Sequence, residues 1–137
     1  MSLKLAVYGS LRAGMGNNRL IAHSKLLSNE KVSLPFEMID MGAFPGLIKS
    51  NELNDIDVEI YEVDMPTYQR VERLEGYPSF YDRQLIETSV GAADIYFLHK
   101  SYNEWANKVR KTNGSYDWVK YLNKSEKIND KDSVEEE

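Results

Sequence analysis

Only one stretch of this chain reads clearly as an amphipathic helix, and that limits its fold more than any other feature. Asp64 is suited to cap the helix and Pro66 to its first turn. Met65, Tyr68, Val71 and Leu74 follow at spacings of three, an apolar stripe down one face. Gly76 is a natural stop. Most of the rest reads as strand. Leu3–Val7 is a short apolar run suited to burial on both faces. Val32 to Ile39 is a strand interrupted by Pro35, and Val58 to Val63 alternates with Glu59 and Glu62. Leu85 to Val90 and Ala92 to Leu98 read as two strands around a turn at Gly91. Arg19 to Leu27 predicts a second, short helix, and Gly42 to Gly46 a turn. Many short strands with few helices predict a barrel or a strongly curved sheet.

A chain of 137 residues suggests one domain. Its 15 aromatic residues supply large pieces for a core. Residues 1–123 are expected to form that domain, and the charged, low-complexity stretch 124–137 to be a disordered tail. The net charge of −5 is uneven, with −3 in residues 124–137 and −2 in the remainder. A nearly neutral body lacks the basic face that nucleic-acid binding needs. Without cysteine there is no disulfide, no thiolate metal site and no cysteine nucleophile. The first residues lack the order of a signal peptide, and no apolar run approaches membrane-spanning length. The expectation is a cytoplasmic protein without a membrane partner. Oligomeric state is not legible.

Leu3–Val7 breaks into a glycine loop, Gly9-Ser10-Leu11-Arg12-Ala13-Gly14-Met15-Gly16. Gly9 and Gly14 have the separation of a Walker loop, but Met15 and Gly16 stand where Lys and Ser/Thr are required. The dinucleotide fingerprint fails as well, because Arg19 replaces its third glycine. What remains is a turn whose N–H groups can face an anion or a polarised carbonyl. An ordinary strand-terminating turn accounts for the same residues. Ser10 is not in a Gly-x-Ser-x-Gly elbow. His23, His99 and the scattered acids make no metal-ligand spacing.

Glu75 is the sharper candidate. At about 100° per residue it falls within roughly 10° of the centre of the helical stripe. A carboxylate on an apolar face is costly unless paired or used, and desolvation raises its pKa toward the range of a general acid/base. Two other readings stay open. The helix has already ended and Glu75 turns into solvent, or Glu75 forms a structural pair with Arg83.

Taken in order, Tyr8-Gly9-Ser10-Leu11, Gly14 and Asn17, Gly42-Ala43-Phe44-Pro45, and Leu74-Glu75-Gly76-Tyr77-Pro78-x-x-Tyr81-x-Arg83 resemble the gamma-glutamylcyclotransferase-like family. Gly114-Ser115-Tyr116-Asp117-Trp118 resembles a late motif of that family, with residues inserted. The resemblance spans about residues 4–121. One departure is Val58, where the family often has glycine. The resemblance implies a compact single α+β domain built on a mixed β-barrel with a few short helices and a small cavity at its mouth. It implies Glu75 as the catalytic residue. Tyr8, Gly9, Ser10 and Leu11 would bind a small-molecule gamma-glutamyl substrate, with Tyr81 lining the pocket. The implied reaction is metal-independent and needs no cofactor: the substrate's α-amine attacks its own γ-carbonyl, releasing 5-oxoproline and an amine or amino acid. A non-catalytic small-molecule-binding protein on the same scaffold is the alternative.

Overall fold

Leu3–Val7 forms the central strand β1, around which the computed structural model, describing residues 3–109, 111–112 and 116–123, is arranged. Leu5, Ala6 and Val7 are all buried, as the unbroken apolar run requires. The other strands are β2 (Lys25–Asp40), β3 (Pro45–Val63), β4 (Tyr81–Thr88) and β5 (Gly91–Leu98). They form one five-stranded sheet in the order β2-β3-β1-β5-β4. β1 runs parallel to β5 and antiparallel to β3, so the sheet is mixed. The helical elements are α1 (Met65–Leu74), α2 (Asn103–Ala106), two 3₁₀ turns at Asn18–Leu20 and Lys100–Tyr102, and a helical stretch at 118–123. No helix among the described residues is long and apolar enough to cross a membrane.

The expected barrel is not closed. β2 and β4 are the two edges, with no ladder between them. At one end the Glu30 carboxylate of β2 accepts from the N–H of Ser89, just past β4, at 3.1 Å and from the Ser89 hydroxyl. Pro35 gives a reason. It has no N–H to donate and sits where the β2–β3 register shifts between Leu34 and Phe36, so β2 is suited to an edge.

Each face of the sheet carries its own core. Phe36, Met38, Leu47, Ile60, Ile95 and Phe97 pack on one side together with Trp118, which is fully buried and stacks on Tyr121. Leu5, Val7, Ile39, Tyr61, Val71 and Leu98 pack on the other, beneath α1.

Two strands are far longer than the sequence suggests. Val32–Ile39 and Val58–Val63 are parts of a hairpin pairing Lys25 with Glu62 at its open end and Asp40 with Pro45 at its turn. The stretch around 49–55 is polar and mostly exposed, so ladder hydrogen bonds extend β3 where no burial pattern announces it. The predicted helix over Arg19–Leu27 is only the 3₁₀ turn at Asn18–Leu20. The chain then enters β2, where Leu26 pairs with Tyr61. β4 starts at Tyr81, four residues before the expected Leu85. Residues 124–137 and the Gly114-Ser115 part of the late motif lie outside the described residues.

α1 forms where expected. The Asp64 carboxylate accepts from the Thr67 N–H at 2.9 Å, and Pro66 occupies the first turn. Its C-terminus is a Schellman motif: Tyr77 N–H donates to the Glu72 carbonyl and Gly76 N–H to that of Arg73. Gly76 has φ +65, which L side chains rarely adopt. The buried stripe differs from the predicted one. Met65 is 54% exposed and Leu74 43% exposed, while Thr67 and Val71 are fully buried. The strip facing the sheet runs Thr67–Val71–Glu75 at spacings of four, with Tyr68 beside it.

The loop after β1 is tied down by an ion cluster. Arg12 is 6% exposed; its Nε donates to Glu59 at 2.9 Å and its Nη1 to Asp117 at 2.8 Å. Glu59 also accepts from Ala13 N–H at 2.9 Å and from the Tyr61 hydroxyl at 2.8 Å.

Two stability measurements follow from these contacts. Gly76→Ala costs about 1–2 kcal/mol because alanine is strained at positive φ, read as a lower urea midpoint at an unchanged slope. Arg12→Ala leaves Glu59 buried and unpaired and costs about 3–5 kcal/mol, read the same way.

Candidate active site

One cavity, about 140 Å³, lies where the loop after β1, the β2–β3 turn, the end of α1 and strands β4 and β5 converge. It is smaller than the roughly 300–1,000 Å³ of a cleft for drug-sized ligands, and suits a group the size of one amino acid. Tyr8, Gly9, Ser10, Leu11, Glu75 and Tyr81, the six site residues singled out in the sequence, all line it. Glu75 lies 64 or more positions along the chain from the Tyr8–Leu11 loop, so the tertiary fold alone brings them together.

The loop is cinched by its own hydrogen bonds. Arg12 N–H donates to the Gly9 carbonyl at 3.0 Å and Asn17 N–H to that of Ser10 at 2.9 Å. Asn17 Nδ2 donates to Ser10 Oγ at 2.9 Å and Asn18 Nδ2 to the Leu11 carbonyl at 2.9 Å. The N–H groups of Gly9, Ser10 and Leu11 have no protein acceptor among the described residues. Gly9 is required by contact, because a Cβ there would stand 2.7 Å from the Pro45 ring. Ser10 has no base beside it: His23 Nε2 is hydrogen-bonded to Thr67 and His99 Nδ1 to Ser101. A serine nucleophile therefore gains no support from the geometry.

Glu75 closes α1 and turns its side chain to the cavity. Burial pushes its carboxyl up to about 7. Both alternatives from the sequence are answered here. Glu75 has not swung into bulk solvent, and Arg83 pairs instead with Glu72, Nη1 to Oε2 at 3.5 Å. No side chain among the described residues bonds the Glu75 carboxylate, so desolvation by burial is the cause of the shift.

The two tyrosines brace the walls. Tyr8 donates to the Tyr96 carbonyl at 2.8 Å, and Tyr81 to the Pro45 carbonyl at 3.0 Å. Burial raises both phenols well above their ordinary range, with the nearby Glu75 charge adding to it. Both remain neutral donors committed to backbone carbonyls.

Sequence reasoning did not assign Tyr96, Leu74, Phe80, Phe44 or Pro45 to the cavity. Tyr96 belongs to an apolar strand run in which any residue reads as core. Phe44, Pro45 and Leu74 stood in the motifs that carry the family resemblance, which was the available signal. Among the described residues, no cluster of three His, Cys, Asp or Glu side chains could hold a metal ion.

Comparison with known proteins bears on what such a cavity belongs to. The family model described as "Gamma-glutamyl cyclotransferase, AIG2-like" matches residues 5–120. A Vibrio cholerae protein provisionally named a gamma-glutamylcyclotransferase is 35% identical over 111 residues, 75% of this chain and 95% of that one. The gamma-L-glutamyl-butirosin B gamma-glutamyl cyclotransferase of Niallia circulans is 39% identical over 74 residues, 53% of this chain and 46% of that one. The crystal structure of an AIG2-like protein from Mus musculus superposes with a TM-score of 0.62 at 19% identity, over 80% of this chain and 85% of that one, a likeness of fold. With a family model matched across nearly all of the described residues, this chain belongs to the AIG2-like gamma-glutamyl cyclotransferase family.

Proposed function

We propose that the protein is a gamma-glutamyl cyclotransferase that converts a gamma-glutamyl amide into 5-oxoproline and a free amine or amino acid. The observation that carries this reading is the Glu75 carboxyl, pushed up to about 7 by burial in a cavity that Gly9, Ser10 and Leu11 also line, their N–H groups having no protein acceptor among the described residues. The Niallia circulans relative, whose name states a gamma-glutamyl cyclotransferase activity, supports the same class.

The substrate carries its own nucleophile. Folding the glutamyl chain back brings the α-nitrogen against the γ-carbonyl, and a cavity of this size favours the folded conformer, which supplies orientation. The Glu75 carboxylate takes a proton from the α-ammonium. The freed amine forms the new C–N bond, and the loop N–H groups stabilise the charge on the carbonyl oxygen. The bond to the departing nitrogen then breaks. Over the whole reaction the α-nitrogen loses two protons and the departing nitrogen gains two, so one carboxyl with a pKa near the working pH carries both. Tyr8 and Tyr81 hold the walls, and Tyr81 with Phe44 and Phe80 shields the site from water.

The test incubates the protein and its Glu75→Gln variant with gamma-glutamyl amines, amino acids and peptides, and reads 5-oxoproline by mass spectrometry. The wild type is expected to release it, with the variant slower by about 10²–10⁴-fold. A gamma-glutamyl ligand retained without any 5-oxoproline would instead identify a binding protein. A folded variant as active as wild type would remove Glu75 from the mechanism.

The pH dependence has a defined sign. Glu75 must start as the carboxylate, so kcat/KM falls on the acid side of about pH 7. Stability runs the other way. The folded pKa of about 7 lies above the ordinary 4.5, so the contribution of this group is full below pH 4.5 and is lost as pH rises through 7. Glu75→Gln is therefore expected to match wild type in thermal stability at pH 4 and to exceed it at pH 8, by less than about 3 kcal/mol.

A further inference from the structure

No side chain among the described residues bonds the Glu75 carboxylate, so its aim into the cavity is set by the main chain on either side. The Schellman turn shapes that main chain, and the Tyr81 N–H at the start of β4 donates to the Glu75 carbonyl at 3.3 Å; side chains hold the residues on either side. Arg83 on β4 reaches both flanks. Its Nη1 lies 3.5 Å from Glu72 Oε2, one turn before Glu75. Its guanidinium stands 4.0 Å from the ring centroid of Tyr77, two residues after Glu75. The same Nη1 donates to the hydroxyl of Tyr96 at 3.4 Å, and Tyr96 is part of the cavity wall. The guanidinium also lies 5.1 Å from the Tyr68 ring, and the Tyr68 hydroxyl is anchored to Asp94 on β5 at 2.8 Å. Arg83 itself does not line the cavity.

We propose that Arg83 is a positioning residue for Glu75, clamping the end of α1 through Glu72 and Tyr77 so that the carboxyl faces the cavity. This rests on the reading of Glu75 as the acid/base. The shape of the side chain matters as much as its charge. A planar guanidinium stacks on one ring while its edge bonds a carboxylate and a hydroxyl; a lysine ammonium is a point charge that lacks this fork. With the clamp loosened, the end of α1 shifts and Glu75 gains water. The ionisable groups around it are Tyr8 on the β1 loop, Tyr81 on β4, Tyr96 on β5, and Glu72 and Arg73 on its own helix. The phenols are all raised by burial and stay neutral near pH 7, so the titration of Glu75 reports its solvation.

The test uses Arg83→Lys and Tyr77→Leu; the second keeps the cation and removes only the ring. Glutamate side chains are labelled with ¹³C and titrated by NMR, with the Glu75 signal assigned by its absence in Glu75→Gln. Wild type is expected to titrate at about 7. Both variants are expected to titrate lower by about one unit or more as desolvation is relieved. Their kcat falls roughly 10–100-fold, as a small displacement of a catalytic group does, with KM within about threefold of wild type. A folded Arg83→Lys protein whose Glu75 titrates as in wild type overturns the proposal, whatever its activity. Wild type releasing no 5-oxoproline from any substrate would overturn the proposed reaction instead, and the titration would still decide the clamp.

Discussion

The Arg12 guanidinium, held between Glu59 and Asp117, joins three parts of the chain. It fastens the loop after β1 to the middle of the sheet and to the start of the helical stretch at 118–123. Burying one arginine with two carboxylates carries a large desolvation penalty. Bonds from Ala13 N–H and the Tyr61 hydroxyl to Glu59 help to offset it. Such clusters add little net stability over a well-packed apolar group, but they tolerate no missing partner. What this one provides is a fixed course for residues 8–18. Together with the loop's own hydrogen bonds, it keeps Gly9, Ser10 and Leu11 at the cavity wall.

The opposite wall shows a tension between stability and reactivity. Glu75 could have been paired with Arg83, which is close at hand, and that pairing would have stabilised its charge. Instead Arg83 is occupied by Glu72 and by tyrosine rings, and Glu75 is left to desolvation alone. A carboxyl in that state weakens the fold at neutral pH and is matched to proton transfer at neutral pH. Perturbed groups of this kind concentrate at functional sites. The braces around it follow the opposite rule. Tyr8 and Tyr81 are buried as deeply, yet their hydroxyls bond backbone carbonyls, so they rigidify the cavity without joining its titration.

The open sheet is part of the same design. A closed barrel would need β4, eight residues long, to pair with β2, sixteen residues long and broken at Pro35. The edges instead meet at Glu30 and Ser89, and side chains fill one face of the sheet, with Trp118 among them.

Much of this was legible in the chain itself, and the divide follows the range of the interactions. Leu3–Val7, the Asp64 cap, Pro66 and the Gly76 stop are local signals, each decided by the main chain within a turn, and the structure keeps them all. Glu75 stood out because a charge on an apolar helix face is anomalous wherever the helix packs. Burial does push its carboxyl up, although the stripe was misdrawn, with Met65 and Leu74 left exposed and Thr67 turned in. What the sequence could not determine was everything decided by contact between distant segments. The joining of two short strand signals into the β2–β3 hairpin depends on cross-strand hydrogen bonds, which leave no hydrophobic pattern at 49–55. The choice of Arg83 for Glu72 rather than Glu75 depends on a register between β4 and α1. The place of Tyr96 in the cavity wall depends on β1 lying parallel to β5. Periodicity reports which face of an element is buried; only the packed structure reports what that face is buried against.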